Sequence, residues 1–181
     1  MGRLRIGLAA SAFVAVVAVG IVATDRAQIG RVAPDLVAET DRADRVLVEK
    51  SARRLTLFRD GRVLATYPVS LGFSPIGHKQ REGDGRTPEG LYSIAYRNPL
   101  SVAYLSLKVS YPNEADTLAA RDGGYEPGGD IMIHGIMNGF SWLGRMHRFR
   151  DWTSGCVGLA NDEMAAIYAR VDVGTPVELR P

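Results

Sequence analysis

Past residue 44 the chain falls into short runs in which apolar residues alternate with polar ones. Val46-Leu47-Val48-Glu49 and Arg54-Leu55-Thr56-Leu57-Phe58 read as strands, because a period of two places one set of side chains on a buried face. Asp60-Gly61 is a hairpin turn pair, and Arg62 to Leu71 reads as the return strand. Leu91-Tyr92-Ser93-Ile94, Leu105-Ser106-Leu107-Lys108-Val109 and Val177-Glu178-Leu179 are further strands, the last one closing the domain. Ile131-Met132-Ile133 is a buried strand that runs into His134-Gly135.

Two stretches change period. Ala115 to Arg121 predicts a short helix stopped by Gly123-Gly124. After Cys156, Asn161 is placed to cap a second helix, with Met164, Ile167, Tyr168 and Val171 forming one apolar face. Gly72 to Gly90 carries seven glycines or prolines and predicts a long loop, a feature that is uncommon in compact domains unless it has work to do. The fold class expected is mostly β, a β-rich α+β domain over residues 45–181.

The first 24 residues have a different pattern. Arg3 and Arg5 precede an apolar stretch of 18 residues, Ile6 to Ala23, between the length of a signal-peptide core and that of a membrane span of roughly 17–25 residues. The expectation is a signal peptide or membrane anchor over 1–24, with basic residues holding the N-terminus inside and the rest exported. Residues 25–44 read as a linker, either a tether or a short helix lying against the domain. The chain would then be periplasmic or in the cell envelope, with inner-membrane contact through its N-terminal segment.

The formal charge of +2 comes from that segment, since 20 basic and 20 acidic residues remain beyond residue 24. A neutral domain without a basic stripe excludes nucleic acid as a partner. Export also sharpens the meaning of a single cysteine: Cys156 cannot form an internal disulfide in a compartment that favours them.

The surroundings of Cys156 point to chemistry. In Thr153-Ser154-Gly155-Cys156-Val157, small residues let the backbone turn and aim successive N–H groups at one point, as an oxyanion requires. A thiol is mostly protonated at neutral pH and needs a base beside it. Of three histidines, His134 is the one at a strand end, although it lies 22 residues before Cys156. His78 reads as a surface residue of the long loop. Neither a metal nor a cofactor is implied: His134 and His147 lack a carboxylate at a ligand spacing.

These residues make the chain resemble the L,D-transpeptidase catalytic domain, or YkuD domain. The resemblance rests on Ile133-His134-Gly135, on Thr153-Ser154-Gly155-Cys156-Val157 with Asn161 following, and on Gly83-Asp84-Gly85-Arg86-Thr87-Pro88-Glu89-Gly90 upstream. It runs from about Val46 to Val177. It implies a compact β domain with a short helix after the cysteine, acting on peptidoglycan stem peptides. Cys156 would be the nucleophile, His134 the base, and the Gly135 carbonyl its orienting partner. The N–H groups of Ser154, Gly155 and Cys156 would bind the oxyanion.

Two positions depart from the family. Histidine two before the cysteine and arginine two after it are replaced by Ser154 and Gly158. The stretch between His134 and Cys156 instead carries Arg145, Arg148 and Arg150, candidates for a stem-peptide carboxylate, and Trp142 and Trp152, of which Trp152 is a candidate cleft residue. Three functions stay open: a transpeptidase; a hydrolase of the same bond class, including an amidase that releases a wall-linked protein; and a wall-binding module with an inert Cys156. A wall-linked protein is also an alternative acceptor. An activated thiolate would react with a thiol reagent at mildly acidic pH.

Overall fold

The computed structural model describes residues 32–181. The apolar stretch 6–23, and with it the signal or anchor expectation, lies outside the described residues. Residues 32–44 run along the domain: the N–H groups of Val37 and Ala43 donate to the carbonyls of Ala169 and Arg170 at 2.9 and 2.8 Å.

The strands are β1 (Arg45–Glu49), β2 (Arg54–Arg59), β3 (Arg62–Pro68), β4 (Gly90–Ser101), β5 (Tyr104–Val109), β6 (Met132–His134), β7 (Val157–Gly158) and β8 (Pro176–Arg180). Two helices accompany them, α1 (Glu114–Asp122) and α2 (Asn161–Tyr168), with a kinked 3-10 segment over Ser141–Phe149. The strands form one sheet in the order β3-β2-β1-β8-β4-β5-β6-β7.

The Asp60-Gly61 hairpin forms as its residues predict, both in the left-handed region at φ 50° and 73°. The closing strand does more than close. β8 inserts at the sheet centre, parallel to β1 (Val46↔Val177) and antiparallel to β4 (Tyr92↔Val177). β4 is far longer than the expected four residues. Its first part pairs with β8 and its second, from Ile94, with β5, so one strand bends across both halves of the sheet.

The sheet edges meet. The return strand leaves β2 at Pro68, because the next residues change partner. Ser70 exchanges both N–H···O bonds with Gly158 of β7 at 2.8 and 2.9 Å, and Gly72 bridges Thr153. Two isolated bridges thus join the chain just beyond the first edge strand to the other end of the sheet, which has curled toward a barrel. The seam is where Cys156 lies.

The core fills the curl. Val46, Val48, Leu55, Leu57, Leu107 and Ile133 are fully buried, as are Met164 and Ile167 from α2, each contributing about 1.5–3 kcal/mol by leaving water. The predicted stripe on α2 is therefore core. Its cap is not Asn161: the helix starts after Ala160, whose N–H donates to Glu163 at 3.3 Å. The Asn161 carbonyl oxygen instead accepts the Ile136 N–H at 2.8 Å, tying α2 to the chain just beyond His134.

The long loop is irregular but wired. Lys50 is buried, and its ammonium donates to the Gly77 and Thr87 carbonyls and to Glu89 at 2.6, 2.9 and 2.7 Å. Asp84 accepts from the N–H groups of Gln80, Arg81 and Arg86 and from Lys79. His78 is part of this network rather than a free surface residue, since its Nδ1 accepts the Glu89 N–H at 2.9 Å and its Nε2 meets Asp116 at 3.1 Å.

Candidate active site

The separation of His134 and Cys156 along the chain is closed by one parallel ladder. β6 and β7 pair Ile133 with Val157 and His134 with Gly158. Paired residues share a face, and the strand period of two puts Cys156 on the face of Gly158 and therefore of His134. Ile133 and Val157 point the other way, into the core. Gly158 has no side chain, so nothing from β7 stands between the two.

The His134 ring has a defined tautomer. Its Nδ1 lies 2.6 Å from the Gly135 carbonyl, and a carbonyl only accepts, so Nδ1 carries the proton and Nε2 presents a lone pair. Gly135 itself is confined: a Cβ there would lie 2.7 Å from Asn161 Oδ1 and 3.0 Å from Tyr104. Burial pushes the His134 pKa down, partly offset by that carbonyl.

The thiol is held from the start of β6 and from Asp130, two residues before it. Cys156 Sγ lies 3.5 Å from the Asp130 carbonyl, which Asp130 aims from a left-handed conformation at φ 54°. Burial raises the thiol pKa, while the Met132 N–H and the charges of Lys108 and Lys79 pull it back and Asp130 adds to the rise. Lys108 and Asp130 are themselves paired at 2.6 Å. Burial thus favours the uncharged form of each group, the thiol and the imidazole alike.

The turn before the cysteine needs its glycine. Gly155 has φ 128°, and a Cβ would meet the Arg86 carbonyl at 2.5 Å, so the wired loop packs directly on the turn. The Gly155 N–H is already donated to Thr153 Oγ1 at 3.1 Å, while Thr153 donates to the Cys156 carbonyl at 2.8 Å. Of the three donors expected for an oxyanion, those of Ser154 and Cys156 are left. Thr153 is thus a member of the site that its place in the motif did not assign.

Trp152 occupies the space that Gly158 leaves. A Cβ on Gly158 would lie 3.1 Å from the indole Cζ2, so the position where the family carries an arginine is covered by tryptophan. The indole meets the His134 ring edge-on at 5.6 Å between centroids. On its other flank lies a cleft of about 620 Å³, lined by Met137, Phe140, Trp142, Met146, Arg150 and Trp152 among others. Cys156 and His134 do not line it. Trp152 is the wall between the cleft and the His134 ring.

The three candidate arginines separate. Arg145 pairs with Asp162 at 2.9 Å, and Arg148 with Glu163, both on the first turn of α2. Arg150 lines the cleft and has no ion pair among the described residues.

Comparison with known proteins agrees with this arrangement. Residues 43–179 match the L,D-transpeptidase catalytic domain family, YkuD. The chain belongs to this family. It is 35% identical over 97 residues to the putative L,D-transpeptidase YafK of Escherichia coli, an alignment covering 50% of this chain and 37% of that protein. The chain thus matches little more than a third of the length of that curated relative. Among solved structures it is similar to the helical cell shape determining protein Pgp2 of Campylobacter jejuni, with a TM-score of 0.59, 26% identity, and coverage of 75% of this chain and 46% of that one. An L,D-transpeptidase from Mycobacterium smegmatis shares the fold, with a TM-score of 0.51 at 18% identity over 76% of this chain and 58% of that one.

Proposed function

We propose that the chain is a cysteine acyltransferase that exchanges peptide bonds in peptidoglycan stem peptides, an L,D-transpeptidase exported to the cell envelope by its first 24 residues. The observation that carries this is the Nδ1 bond of His134 to the Gly135 carbonyl at 2.6 Å. It leaves Nε2 as a base on the face that Cys156 shares. A role in cell shape fits the similarity to Pgp2 and would follow from the same cross-links.

The sequence of steps follows from the neutral pair. As the thiol attacks the carbonyl carbon of the third stem residue, its proton moves to His134 Nε2. The carbonyl oxygen becomes an oxyanion held by the Ser154 and Cys156 N–H groups. Collapse breaks the C–N bond, and the imidazolium returns its proton to the departing D-alanine amine, leaving a thioester on Cys156. An acceptor amine then attacks, gives up a proton to His134, and expels the thiol. Water in place of the amine gives the hydrolase. The cleft behind Trp152 is remote from the bond that breaks, so it would bind a further part of the substrate, with Arg150 receiving a carboxylate.

The test uses the full chain, as wild type and Cys156→Ala, with purified disaccharide-tetrapeptide and detection by mass spectrometry. Loss of D-alanine with dimers, in the wild type alone, is the expected result. Free tripeptide without dimers would make it a hydrolase. No change in either sample would overturn the enzymatic reading. With a raised thiol and a lowered imidazole, Cys156 alkylation should accelerate as pH rises through the alkaline range. A rate already maximal at mildly acidic pH would show a preformed ion pair instead.

A further inference from the structure

His147 lies 13 residues beyond His134 and is buried, with 6% of its surface exposed. Its Nδ1 is 3.3 Å from Trp152 Nε1 and 3.2 Å from Ser70 Oγ, and that oxygen also lies 3.3 Å from the His147 carbonyl, so its one proton is shared between the two. We propose that His147 is a positioning residue: by accepting the Trp152 indole N–H it holds the indole against His134 and over Gly158.

An indole nitrogen can only donate, so in the arrangement proposed His147 Nδ1 offers a lone pair and the neutral ring carries its proton on Nε2. Burial, then the charge of Arg148 and the proximity of His134, bring the His147 pKa down to about 4, so the accepting form persists at neutral pH. Trp152 packs edge-on to both rings, at 5.6 Å from His134 and 6.2 Å from His147.

The contacts form a closed circuit. The Ser70 backbone is bridged to Gly158, and its side chain holds His147. His147 holds Trp152, which covers Gly158 and abuts His134. His134 pairs with Gly158 across the ladder. The seam of the sheet is thereby linked to the ring of the base.

One detail argues against mere packing. His147 Nε2 is buried with no partner among the described residues, a cost that a phenyl ring of similar shape would avoid. An imidazole is explained at this place by what its other nitrogen accepts.

The inference rests on the proposed Cys156–His134 chemistry but not on the wall substrate. Its test is the rate of iodoacetamide alkylation of Cys156 in the full chain at neutral pH. His147→Phe and Trp152→Phe should each slow alkylation about tenfold, the scale of a modest misplacement of a catalytic group. His147→Gln supplies an oxygen that can accept the indole N–H and should stay within about threefold of wild type. The double Phe variant should be no slower than either single one, because both remove the same bond.

Wild-type rates in His147→Phe would overturn the proposal, as would His147→Gln as slow as His147→Phe at equal melting temperature. Should His147→Phe fail to fold, His147→Gln set against Trp152→Phe decides, since the first keeps an acceptor for the indole and the second removes the donor together with the ring edge over Gly158. Failure of D-alanine release with these alkylation differences intact would sink the transpeptidase reading and leave this one standing.

Discussion

Two segments flank Cys156, and they are built in opposite ways. Gly72–Gly90 has little regular structure but pairs its buried charges: Lys50 reaches it with three hydrogen bonds, and Asp84 gathers four. Residues 136–150 contain a 3-10 segment, yet they expose Met137, Phe140, Trp142, Met146 and Phe149. The first segment exposes Phe73 and Ile76 but meets its buried charges within the protein and holds the turn at Gly155 by contact. The second leaves apolar surface and the unpaired Arg150 facing a cleft. A loop whose buried charges are met internally supports geometry, whereas one that leaves a run of aromatic surface in water is shaped for something else to cover it.

The largest effect should come from breaking the wired loop. Lys50→Met removes an ammonium and leaves Glu89 and two carbonyls without their donor. Stranding a half-buried carboxylate and two carbonyls in this way costs about 2 kcal/mol, between a surface bridge and a fully buried pair, read as a shift in the urea midpoint. A loss below about 1 kcal/mol would place the pair among ordinary surface bridges and the loop's rigidity elsewhere.

In the other segment the arginines should part company. Arg150→Ala should raise KM for the tetrapeptide about tenfold while leaving stability unchanged, the loss expected of one charge-assisted contact to a carboxylate. Arg145→Ala, an exposed ion pair, should change neither by a measurable amount. Equal effects from both would mean that the segment's charge, not the place of Arg150, attracts substrate.

How much of this was legible follows from what pattern can encode. The hairpin at Asp60-Gly61, the buried strand ending at His134 and the stripe on α2 are local, and period and turn chemistry reveal them. The central place of β8 is not local. Val177-Glu178-Leu179 looks the same at an edge as between β1 and β4, because alternation reports burial and not neighbours. The motifs around His134 and Cys156 pointed to the pair, but the ladder that joins them had to be seen. Ser70 and Asp130 carried no signal at all, since each acts through a backbone bond to a residue distant in sequence. Asn161 was read as a cap because its type and position suit one; the structure spends it on Ile136 instead.

The wired loop also predicts an acid limit. Burial works to raise the Asp84 pKa, but three backbone N–H groups and Lys79 outweigh it and hold it down to about 2. A depressed carboxylate contributes its stability above the unfolded value of 3.8 and loses it as pH falls toward about 2. After screening by nearby solvent this is on the order of 1 kcal/mol. Melting temperature should fall across that window in the wild type and more weakly in Asp84→Asn, which starts less stable. Parallel curves for the two proteins would assign the acid limit to other carboxylates.

The smallest effect is the sharpest test of the contrast. Phe149 is 88% exposed at the end of the 3-10 segment, so its ring contributes little to folding. Phe149→Ser should leave stability within about 0.5 kcal/mol of wild type, as surface changes usually do. If the exposed aromatic rim serves the ligand, the same change should raise KM about threefold with kcat intact, the signature of lost ground-state and transition-state binding in equal measure. An unchanged KM would restrict ligand contact to the inner wall at Trp152 and Arg150. A drop in kcat instead would mean that the rim moves during the reaction, and that the segment is closer in kind to the wired loop than its surface suggests.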